Sequence, residues 1–515
     1  MNRYDRNFFA IIIYILPLVC FSQLHISNVV SLDALPKTSK FQIADEYAFQ
    51  YIIEEGVKLT DGSYLGTKND FAGYIPIGGS NSNGYLCVNS ENNPGGVAIL
   101  DIQFDPTSKY WDTTNSVAVD FSVVAGTGRN CSGGITPWNT LITSEEIVDL
   151  DDNGFGYNTL GWSIEIDPAT AQVMNYSGGM PNGDKLWALG NFQHENAVVH
   201  SNQRTVYQGV DSSVGYLYKF VANQPGDLSS GDLYVYVGPK VGNGQWVQIN
   251  NNTPAEQNST LAQSAAVGGT VFAGIEDVEL NPINGEIYFA VKNEDVVYKF
   301  TDDNPLGGGT TSNFNAYVGG VGTSYNITHS LGTSIVPWGK GNDNLAFDDL
   351  GNLYVQQDGG EEYIWLIGNN HTQANPLVKI IAISPLGSEP TGITFTPDFK
   401  YMFMSVQHPF STNDVSSQLD ANGDRHYFDR SVTLVLARKE NLGNGSSCTN
   451  IKNYGTSAVS SGIYQANHTI NSQNFVSQNS SVTMQANQLI RLDNGFEVEL
   501  GGDFCAQIQP CDLSN

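Results

Sequence analysis

Positive charge is the scarcest property of this 515-residue sequence, which has 23 Lys and Arg against 52 Asp and Glu and a formal net charge of −29. A protein of this charge repels nucleic acid and anionic membrane surfaces, so we expect neither as a partner. It repels small anions as well, unless bound cations neutralise the acidic groups that meet them. Dispersed carboxylates are what oxygen-ligated calcium requires, although acidity also serves solubility outside the cell.

Long apolar runs are missing beyond the N-terminus. The run from Phe8 to Val19, preceded by Arg3 and Arg6, is too short to span a bilayer and is typical of a signal peptide, which we assign to residues 1–22. No later stretch reaches the apolar length of a transmembrane helix. We therefore expect a secreted, periplasmic or surface-attached protein without a transmembrane segment.

Cysteine is also sparse. Five cysteines remain after removal of the signal peptide: Cys87, Cys131, Cys448, Cys505 and Cys511. An odd number leaves at least one thiol unpaired. The three near the C-terminus can supply one disulfide, and Cys87 lies in an apolar strand pattern typical of a core. Cys131 is left as the thiol with potential chemistry.

Strong helical patterns are absent before residue 440, and a short strand pattern recurs instead. A turn glycine precedes alternating aromatic and aliphatic residues, as in Gly285-Glu286-Ile287-Tyr288-Phe289 and Gly351-Asn352-Leu353-Tyr354-Val355. Period-two alternation indicates strands with one face in a core, and repetition at blade-sized intervals favours a β-propeller. An array of β-sandwiches is the alternative, but no linkers are evident. We predict an all-β chain with a propeller over residues 23–439.

The composition changes to Ser, Asn, Gln and Gly over residues 440–515. In this segment Gln465-Ala466-Asn467 recurs as Gln485-Ala486-Asn487. Such a repeat predicts a small solenoid-like β module. Because it contains no cluster of acids, bases or metal ligands, we expect it to serve attachment to the cell surface or secretion.

The segment from Asn130 to Glu146 combines a cysteine, two adjacent glycines and a terminal pair of glutamates. Gly133 and Gly134 predict a sharp turn, after which a short strand delivers the carboxylates, so that a thiolate and a carboxylate can meet at a metal. A buried cysteine in a glycine-rich turn, with a solvated acidic pair, is the alternative interpretation.

This segment resembles the Asn-Cys-Ala-Gly-Gly-x-Thr-Pro-Trp…Glu-Glu signature of the PhoX family of alkaline phosphatases. Further segments match that family in order, among them His194-Glu195, Phe272-Ala273-Gly274-Ile275-Glu276-Asp277, Asp343-Asn344-Leu345-Ala346-Phe347-Asp348 and Gly387-Ser388-Glu389-Pro390-Thr391-Gly392. Together they cover roughly residues 80 to 440. The resemblance implies a propeller whose central channel holds iron and calcium ions, bridged by oxygen, and which cleaves phosphomonoesters.

The resemblance also implies a ligand set. Cys131 corresponds to the thiolate on iron, with Glu146, Glu195 and Glu276 as carboxylates of the cluster. The further expected ligands are Asp343, Glu389, Asn89 and Glu91, the last two as oxygen ligands of calcium. These residue types fit a mixed site, because thiolate favours a transition metal whereas carboxylate and amide oxygens suit calcium.

One departure from the family pattern concerns the substrate. The family commonly has an arginine two residues before the glutamate that matches Glu276, and this sequence has Gly274 there. We expect Lys219 or Lys292 to bind the phosphate instead, and an arginine restored at Gly274 to raise monoesterase activity.

The predicted function is phosphomonoester hydrolysis outside the cytoplasm, by a metal-activated oxygen nucleophile and without a protein nucleophile. Phosphodiesters are an alternative substrate. A lactonase-like hydrolase with one calcium is another alternative, although it gives Cys131 no role. A non-catalytic, metal-stabilised propeller that acts in binding or adhesion is the third, and Gly274 is the feature that favours it.

Overall fold

A computed structural model describes residues 24–176, 183–443 and 448–512. The predicted signal peptide lies outside these ranges. Within them, no helix has both the length and the apolar character needed to cross a membrane. The described residues form antiparallel sheets up to Arg438 and a parallel β-structure after it.

Six antiparallel blades surround a central channel in the described part of the chain. Their innermost strands contact one another in blade order, and the innermost strand of blade 6 contacts that of blade 1, which closes the ring. From the channel outwards, blade 1 comprises Asn69–Pro76, Asn83–Ser90, Gly96–Asp105 and Tyr110–Ala118; blade 2 comprises Asn130–Ile135, Leu141–Glu145, Ser163–Asp167 and Gln172–Val173; and blade 3 comprises His194–Val199, Thr205–Val210, Leu217–Gln224, Asp227–Val237 and Gly242–Ile249.

Blade 4 comprises Ile275–Leu280, Ile287–Val291, Val296–Asp302 and Gly309–Gly319; blade 5 comprises Asn342–Phe347, Leu353–Gln357, Tyr363–Ile367, Val378–Ile383 and Gln42–Ile43; and blade 6 comprises Glu389–Phe395, Tyr401–Gln407, Val432–Arg438 and Tyr47–Glu54. The outer strands of blades 3 and 4 also pair, so that these two blades share one sheet. The connections include the helices Pro254–Asn258 and Thr260–Ala266 and the hairpins Asp149–Asp152 with Asn158–Leu160 and Ser324–His329 with Gly332–Pro337.

The recurring glycine-aromatic pattern marks the second strand of blades 4 and 5. Gly285 and Gly351 have φ of +72° and +78°, a left-handed conformation that glycine adopts without a steric penalty. After each glycine, alternating side chains such as Tyr288 and Phe289 point to opposite faces of the blade, and both are buried against neighbouring blades. The predicted β-propeller is therefore confirmed.

Aromatic side chains fill the spaces between blades. Between blades 6 and 1, the rings of Tyr74 and Phe403 stack with centroids 5.2 Å apart, and the Trp111 ring meets both edge-on. Full burial of one such side chain contributes about 2–3 kcal/mol. The ring is closed by the N-terminal strand Tyr47–Glu54, which pairs along its length with Val432–Arg438 of blade 6.

The C-terminal segment forms a parallel β-solenoid of three coils among the described residues, as the repeat predicted. Gln465 pairs in register with Gln485, and Ala466 with Ala486. The coils contain the strands Ile451–Tyr454, Ala458–Val459 and Gly462–Ala466; Thr469–Ser472, Phe475–Val476 and Ser481–Ala486; and Leu489–Leu492, Glu497–Val498 and Asp503–Ile508. The predicted boundary at residue 440 lies between Arg438, where the last blade strand ends, and the first coil.

The solenoid contacts the propeller through a hairpin inserted in blade 6, Gln418–Leu419 with Arg425–His426. Asp424 of this hairpin is buried and accepts hydrogen bonds from Lys452 Nζ at 2.6 Å and from the Gln465 N–H at 2.8 Å. A disulfide joins Cys448 to Cys511, whereas Cys505 is free and exposed and Cys87 is free and buried.

Candidate metal centre

Side chains of the types that bind metal ions lie at the start of the innermost strand of each blade. The second residue of the innermost strand is acidic or a cysteine in blades 1 to 5, and blade 6 begins with Glu389; the set is Asp70, Cys131, Glu195, Glu276, Asp343 and Glu389. A register shift follows within each of these six strand pairs. Such β-bulges re-aim the local side chains, and here they occur where the strands enter the channel.

A second set of charged residues follows the second strand of every blade. The residue directly after that strand is Glu91, Glu146, Asp211, Lys292, Asp358 or His408 in blades 1 to 6 respectively. The end of each second strand pairs with the start of the innermost strand, for example Asn130 with Glu145 and Ile275 with Val291. The two sets therefore lie at the same end of the channel, and we call them together the mouth cluster.

The mouth cluster contains four groups of three side chains whose ligand atoms lie within 4.8 Å of one another. The groups are Asp70, Glu91 and Cys131; Cys131, Glu146 and Glu195; Glu195, Asp211 and Glu276; and Asp343, Asp358 and Glu389. The first three groups are continuous because they share Cys131 and Glu195. One thiol and nine carboxylates thus form an arc around the channel.

The thiol of Cys131 lies at the centre of the continuous part. Its Sγ is 3.3 and 3.2 Å from the two carboxylate oxygens of Glu195 and 3.5 Å from Oδ2 of Asp70. The other Asp70 oxygen accepts a hydrogen bond from Thr391 Oγ1 at 2.8 Å, and Gln407 Nε2 donates to Oδ2 at 2.8 Å. Asp70 is therefore held in place from blade 6 while it faces the thiol.

Cationic side chains are interspersed among the carboxylates. Arg129 Nη2 lies 2.6 Å from Glu91 and 3.2 Å from Glu146. Lys292 Nζ lies 3.0 Å from Asp358, and its other carboxylate partners are Asp343 at 3.2 Å and Glu276 at 3.5 Å.

Blade 6 contributes a cation as well. His408 Nε2 is 3.2 Å from Glu389, and the hydrogen bond to this carboxylate raises the pKa of His408 to about 9 against the opposing effect of burial. Among the described residues, the cations paired with carboxylates of the mouth cluster are Arg129, Lys292, His408 and Lys68, the last of which is 3.9 Å from Glu91.

Negative charge exceeds positive charge in this buried site. Burial, reinforced by the charge of Glu389, raises the pKa of Asp70 to about 8, and burial with the charge of Glu91 raises that of Glu146 to about 9. Burial and neighbouring acids also raise the pKa of Glu195 and of the Cys131 thiol well above their ordinary values. Groups of this kind ionise together only when cations are added.

The residues fit bound metal ions. Glu276 Oε1 is buried without a hydrogen-bond partner among the described residues, and carboxylate groups with one thiol provide ligands for both hard and softer cations. Seven of the eight ligands expected from the sequence lie in the mouth cluster. They are Cys131, Glu146, Glu195, Glu276, Asp343, Glu389 and Glu91.

The eighth expected ligand, Asn89, lies behind the thiol. Its Nδ2 donates to the backbone carbonyl groups of Cys131 and Ser132 at 2.7 and 3.2 Å, so the side chain supports the cysteine strand. Its Oδ1 is buried without a hydrogen-bond partner in the part of the chain that the structure describes.

The glycine pair after Cys131 has a different role from the one expected. Gly133 and Gly134 lie within the innermost strand of blade 2, so the predicted turn is wrong. A Cβ at Gly133 would come within 2.5 Å of the Ile142 carbonyl oxygen, and one at Gly134 would overlap the Ala197 carbonyl of blade 3. The glycines therefore permit close strand packing beside the thiol.

The two lysines proposed for phosphate binding differ in position. Lys292 belongs to the mouth cluster. Lys219 is fully buried within blade 3, where its Nζ is 2.9 Å from Asp302 and faces the ring of Trp246. The structure does not bring Lys219 to the channel, because a buried counter-ion of the neighbouring blade 4, Asp302, holds it.

Three cluster residues were not among the expected ligands: Asp70, Asp211 and Asp358. Arg129 was not expected either. The signal that would have found the three acids is positional, since Asp70 is the second residue of an innermost strand and Asp211 and Asp358 directly follow second strands. Recognising it requires the blade boundaries, which the sequence pattern leaves open.

Fold and site together define a metal-binding β-propeller. The family model described as alkaline phosphatase PhoX matches residues 105–410, more than half of the sequence. The chain belongs to this PhoX family of alkaline phosphatases. Membership indicates phosphoester hydrolysis of the alkaline phosphatase type as the class of activity, and the family is metal-dependent.

Solved structures support the fold. PhoX from Pseudomonas fluorescens, in complex with vanadate as a transition state analogue, matches with a TM-score of 0.60 and 19% sequence identity, covering 81% of this chain and 99% of that one. A putative 6-phosphogluconolactonase from Bacteroides uniformis matches with a TM-score of 0.34 and 12% identity, covering 64% and 76%, which is too distant for any argument. No curated protein matches this sequence.

Proposed function

We propose that this protein hydrolyses phosphomonoesters outside the cytoplasm, with iron and calcium ions held in the mouth cluster. The observation that carries the proposal is the convergence of Cys131 and nine carboxylates from six blades on one end of the channel. The apolar N-terminal run supports an exported protein, and family membership supports the class of reaction.

The ligand atoms of the mouth cluster differ in type, and this difference assigns one part of the cluster to iron and another part to calcium. The thiol of Cys131, with Glu146 and Glu195, offers the mixed sulfur and oxygen ligands that suit iron. Asp343, Asp358 and Glu389 offer oxygen alone, as calcium prefers. When bound, the ions supply Lewis acidity toward phosphoryl oxygens and lower the pKa of a water molecule.

Cationic side chains of the chain itself bind and orient the phosphoryl group in this proposal. Lys292 and Arg129 each lie among two or three carboxylates of the mouth cluster while 28% and 37% of their side chains remain exposed. Their exposed surface makes them accessible to a phosphate that enters the mouth, as the more exposed His408 and Lys68 also are. A charge-assisted hydrogen bond from either one contributes about 1.5–3 kcal/mol.

The conformation of Gly274 supports the assignment of this role to Lys292, which follows the second strand of the same blade. Gly274 has φ of +82°, and a Cβ there would lie 2.9 Å from Asp211 Oδ1 and 3.2 Å from Asn293 Nδ2. Asn293 directly follows Lys292. A side chain at position 274 is therefore disfavoured by backbone conformation and by space, and the Lys292 ammonium provides the positive charge beside Glu276 instead.

The test combines metal content with turnover. Purified protein is loaded with iron and calcium, both metals are counted by elemental analysis, and hydrolysis of p-nitrophenyl phosphate and bis(p-nitrophenyl) phosphate is measured at alkaline pH with vanadate as an inhibitor. We expect monoester turnover that vanadate suppresses. Cys131→Ser is expected to lose iron and activity, whereas Cys505→Ser, at an exposed free thiol outside the cluster, retains both.

Two outcomes would refute the proposal. If the protein binds calcium but no iron when both metals are supplied, Cys131 is not an iron ligand. Iron and calcium present with neither ester hydrolysed would favour the non-catalytic binding propeller, for which the absent arginine at Gly274 is the supporting observation. Faster turnover of the diester than of the monoester would reassign the substrate class.

A further inference from the structure

A cavity of about 160 Å³ lies in the channel one layer below the mouth cluster. Its lining includes the residues that directly follow cluster residues along the innermost strands: Phe71, Ser132, Asn196, Asp277 and Asn344. All six innermost strands contribute to it. The cavity is therefore a space on the channel axis that all six blades border.

Two acidic side chains of blade 4 line this cavity. Asp277 is 4% exposed; its Oδ2 accepts a hydrogen bond from the Leu345 N–H of blade 5 at 2.7 Å, and its Oδ1 is buried without a partner among the described residues. Glu279 is two residues further along the same strand, and so points to the same face. None of the described residues that line the cavity is cationic.

Two neighbouring carboxylates in such a space require compensation. Removing one charge from water costs several kcal/mol, and a second like charge adds repulsion. The cluster cations Arg129 and Lys292 have carboxylate partners of their own in the layer above. A buried, unpartnered Asp277 oxygen at a cavity lined by polar and apolar side chains is a vacant acceptor.

The donor set specifies the kind of cation. The polar side chains at the cavity are carboxylates, amides and hydroxyls, and among the described residues neither histidine nor cysteine lines it. All-oxygen donors in an irregular space suit calcium better than a transition metal or magnesium, which requires near-octahedral geometry. We propose that this cavity binds a calcium ion through Asp277 and Glu279, separately from the ions of the mouth cluster.

The position of Asp277 gives this ion a structural role. One carboxylate oxygen already joins blade 4 to blade 5 through the Leu345 N–H. An ion on the other oxygen extends the connection across the channel toward the remaining blades, and its binding free energy is added to that of folding. The alternative is that Asp277 and Glu279 share a proton and the cavity holds no metal ion.

Diffraction locates the ion directly. Crystals of the full chain, loaded with iron and calcium, are measured at a long wavelength where calcium scatters anomalously. We expect an anomalous peak in the cavity, about 2.3–2.6 Å from Asp277 Oδ1 and from a Glu279 oxygen. A cavity that holds only water, without an anomalous peak at saturating calcium, would overturn the proposal.

Elemental analysis of variants supplies an independent measurement. Glu279→Gln and Asp277→Asn are each expected to lower the calcium content by about one ion per chain, with iron unchanged. Glu286→Gln is the matched control, because Glu286 is also in blade 4 but pairs with Lys299. Unchanged calcium in Glu279→Gln would contradict the inference, and so would parallel loss of iron and calcium, which would assign the ion to the cluster. If Asp277→Asn does not fold, Glu279→Gln and the diffraction measurement decide.

Discussion

Replacing Lys292 with methionine tests how this protein holds a phosphate without the arginine that its family commonly has. The ammonium lies 3.0 to 3.5 Å from carboxylate oxygens of Asp358, Asp343 and Glu276. Burial opposes its charge, but the carboxylates of Asp343 and Glu276 outweigh burial and raise the pKa of Lys292 far above its ordinary value. The side chain therefore stays cationic throughout the alkaline range.

The expected magnitude follows from the exposure of Lys292. A charge-assisted hydrogen bond is worth about 1.5–3 kcal/mol, which corresponds to a roughly 10- to 150-fold change in kcat/KM. Since 28% of the side chain is exposed, solvent screens part of this interaction. We therefore expect Lys292→Met to lower kcat/KM for p-nitrophenyl phosphate by roughly 10- to 30-fold, at the lower end of that range.

A matched lysine on the same blade provides the control. Lys299 pairs with Glu286 at 2.9 Å, and 23% of its side chain is exposed, but it lies outside the mouth cluster. Lys299→Met should leave kcat/KM within about twofold. If Lys292→Met also stays within about twofold while retaining its metals, the reasoning is refuted. If its metals are lost, Lys292 anchors the carboxylates and does not contact the substrate.

Three further predictions concern stability. Gly274→Arg should lower the free energy of unfolding by about 1–2 kcal/mol and should not raise monoesterase activity, because φ at this position is positive and Asp211 occupies the space. A gain in monoesterase activity would contradict this prediction and support the family-based expectation. Burial raises the pKa of Glu54 to about 7, so the free energy of unfolding of the wild type falls as pH rises from about 4.5 to about 7. Glu54→Gln lacks this loss, so its free energy of unfolding relative to wild type should rise by about 3 kcal/mol across that window, as measured by urea unfolding. A difference between the two proteins that does not change with pH would refute this prediction. Lys452→Met leaves Asp424 buried without its cation and should lower the free energy of unfolding by about 3–5 kcal/mol. Calorimetry should show this as unfolding of the solenoid at a lower temperature, and an unchanged transition would contradict the prediction.

The fold was predictable from the sequence because its signals are local. A turn glycine with period-two alternation specifies a strand whatever its neighbours, and the solenoid repeat aligns Gln465 with Gln485 as the parallel pairing requires. The number of blades is not local information. It depends on closure, to which the N-terminal strand Tyr47–Glu54 contributes from a distant part of the chain.

The site was predictable only where a motif carried it. Family motifs point to Cys131 and Glu276, and the structure places both in the mouth cluster. Asp70 and Asp358 lack such motifs and are recognised only by their places at strand ends. Lys219 lies within a strand, whereas Lys292 directly follows one, and a buried partner, Asp302, holds Lys219 away from the channel. Pairings of this kind depend on three-dimensional packing.

The closure of the ring by Tyr47–Glu54 has a consequence for how the protein gains and loses its metals. Cys131 receives Asp70 from blade 1, whereas Glu389 comes from blade 6, and these two blades meet where the chain closes on itself. Opening this seam removes the blade 6 hydrogen bonds from Thr391 and Gln407 that hold Asp70 beside the Cys131 thiol, although each of the four ligand groups among the described residues lies on one side of the seam. Closure of the ring therefore acts on the site through Asp70, and faster removal of bound ions by a chelator when the ring opens would report that coupling.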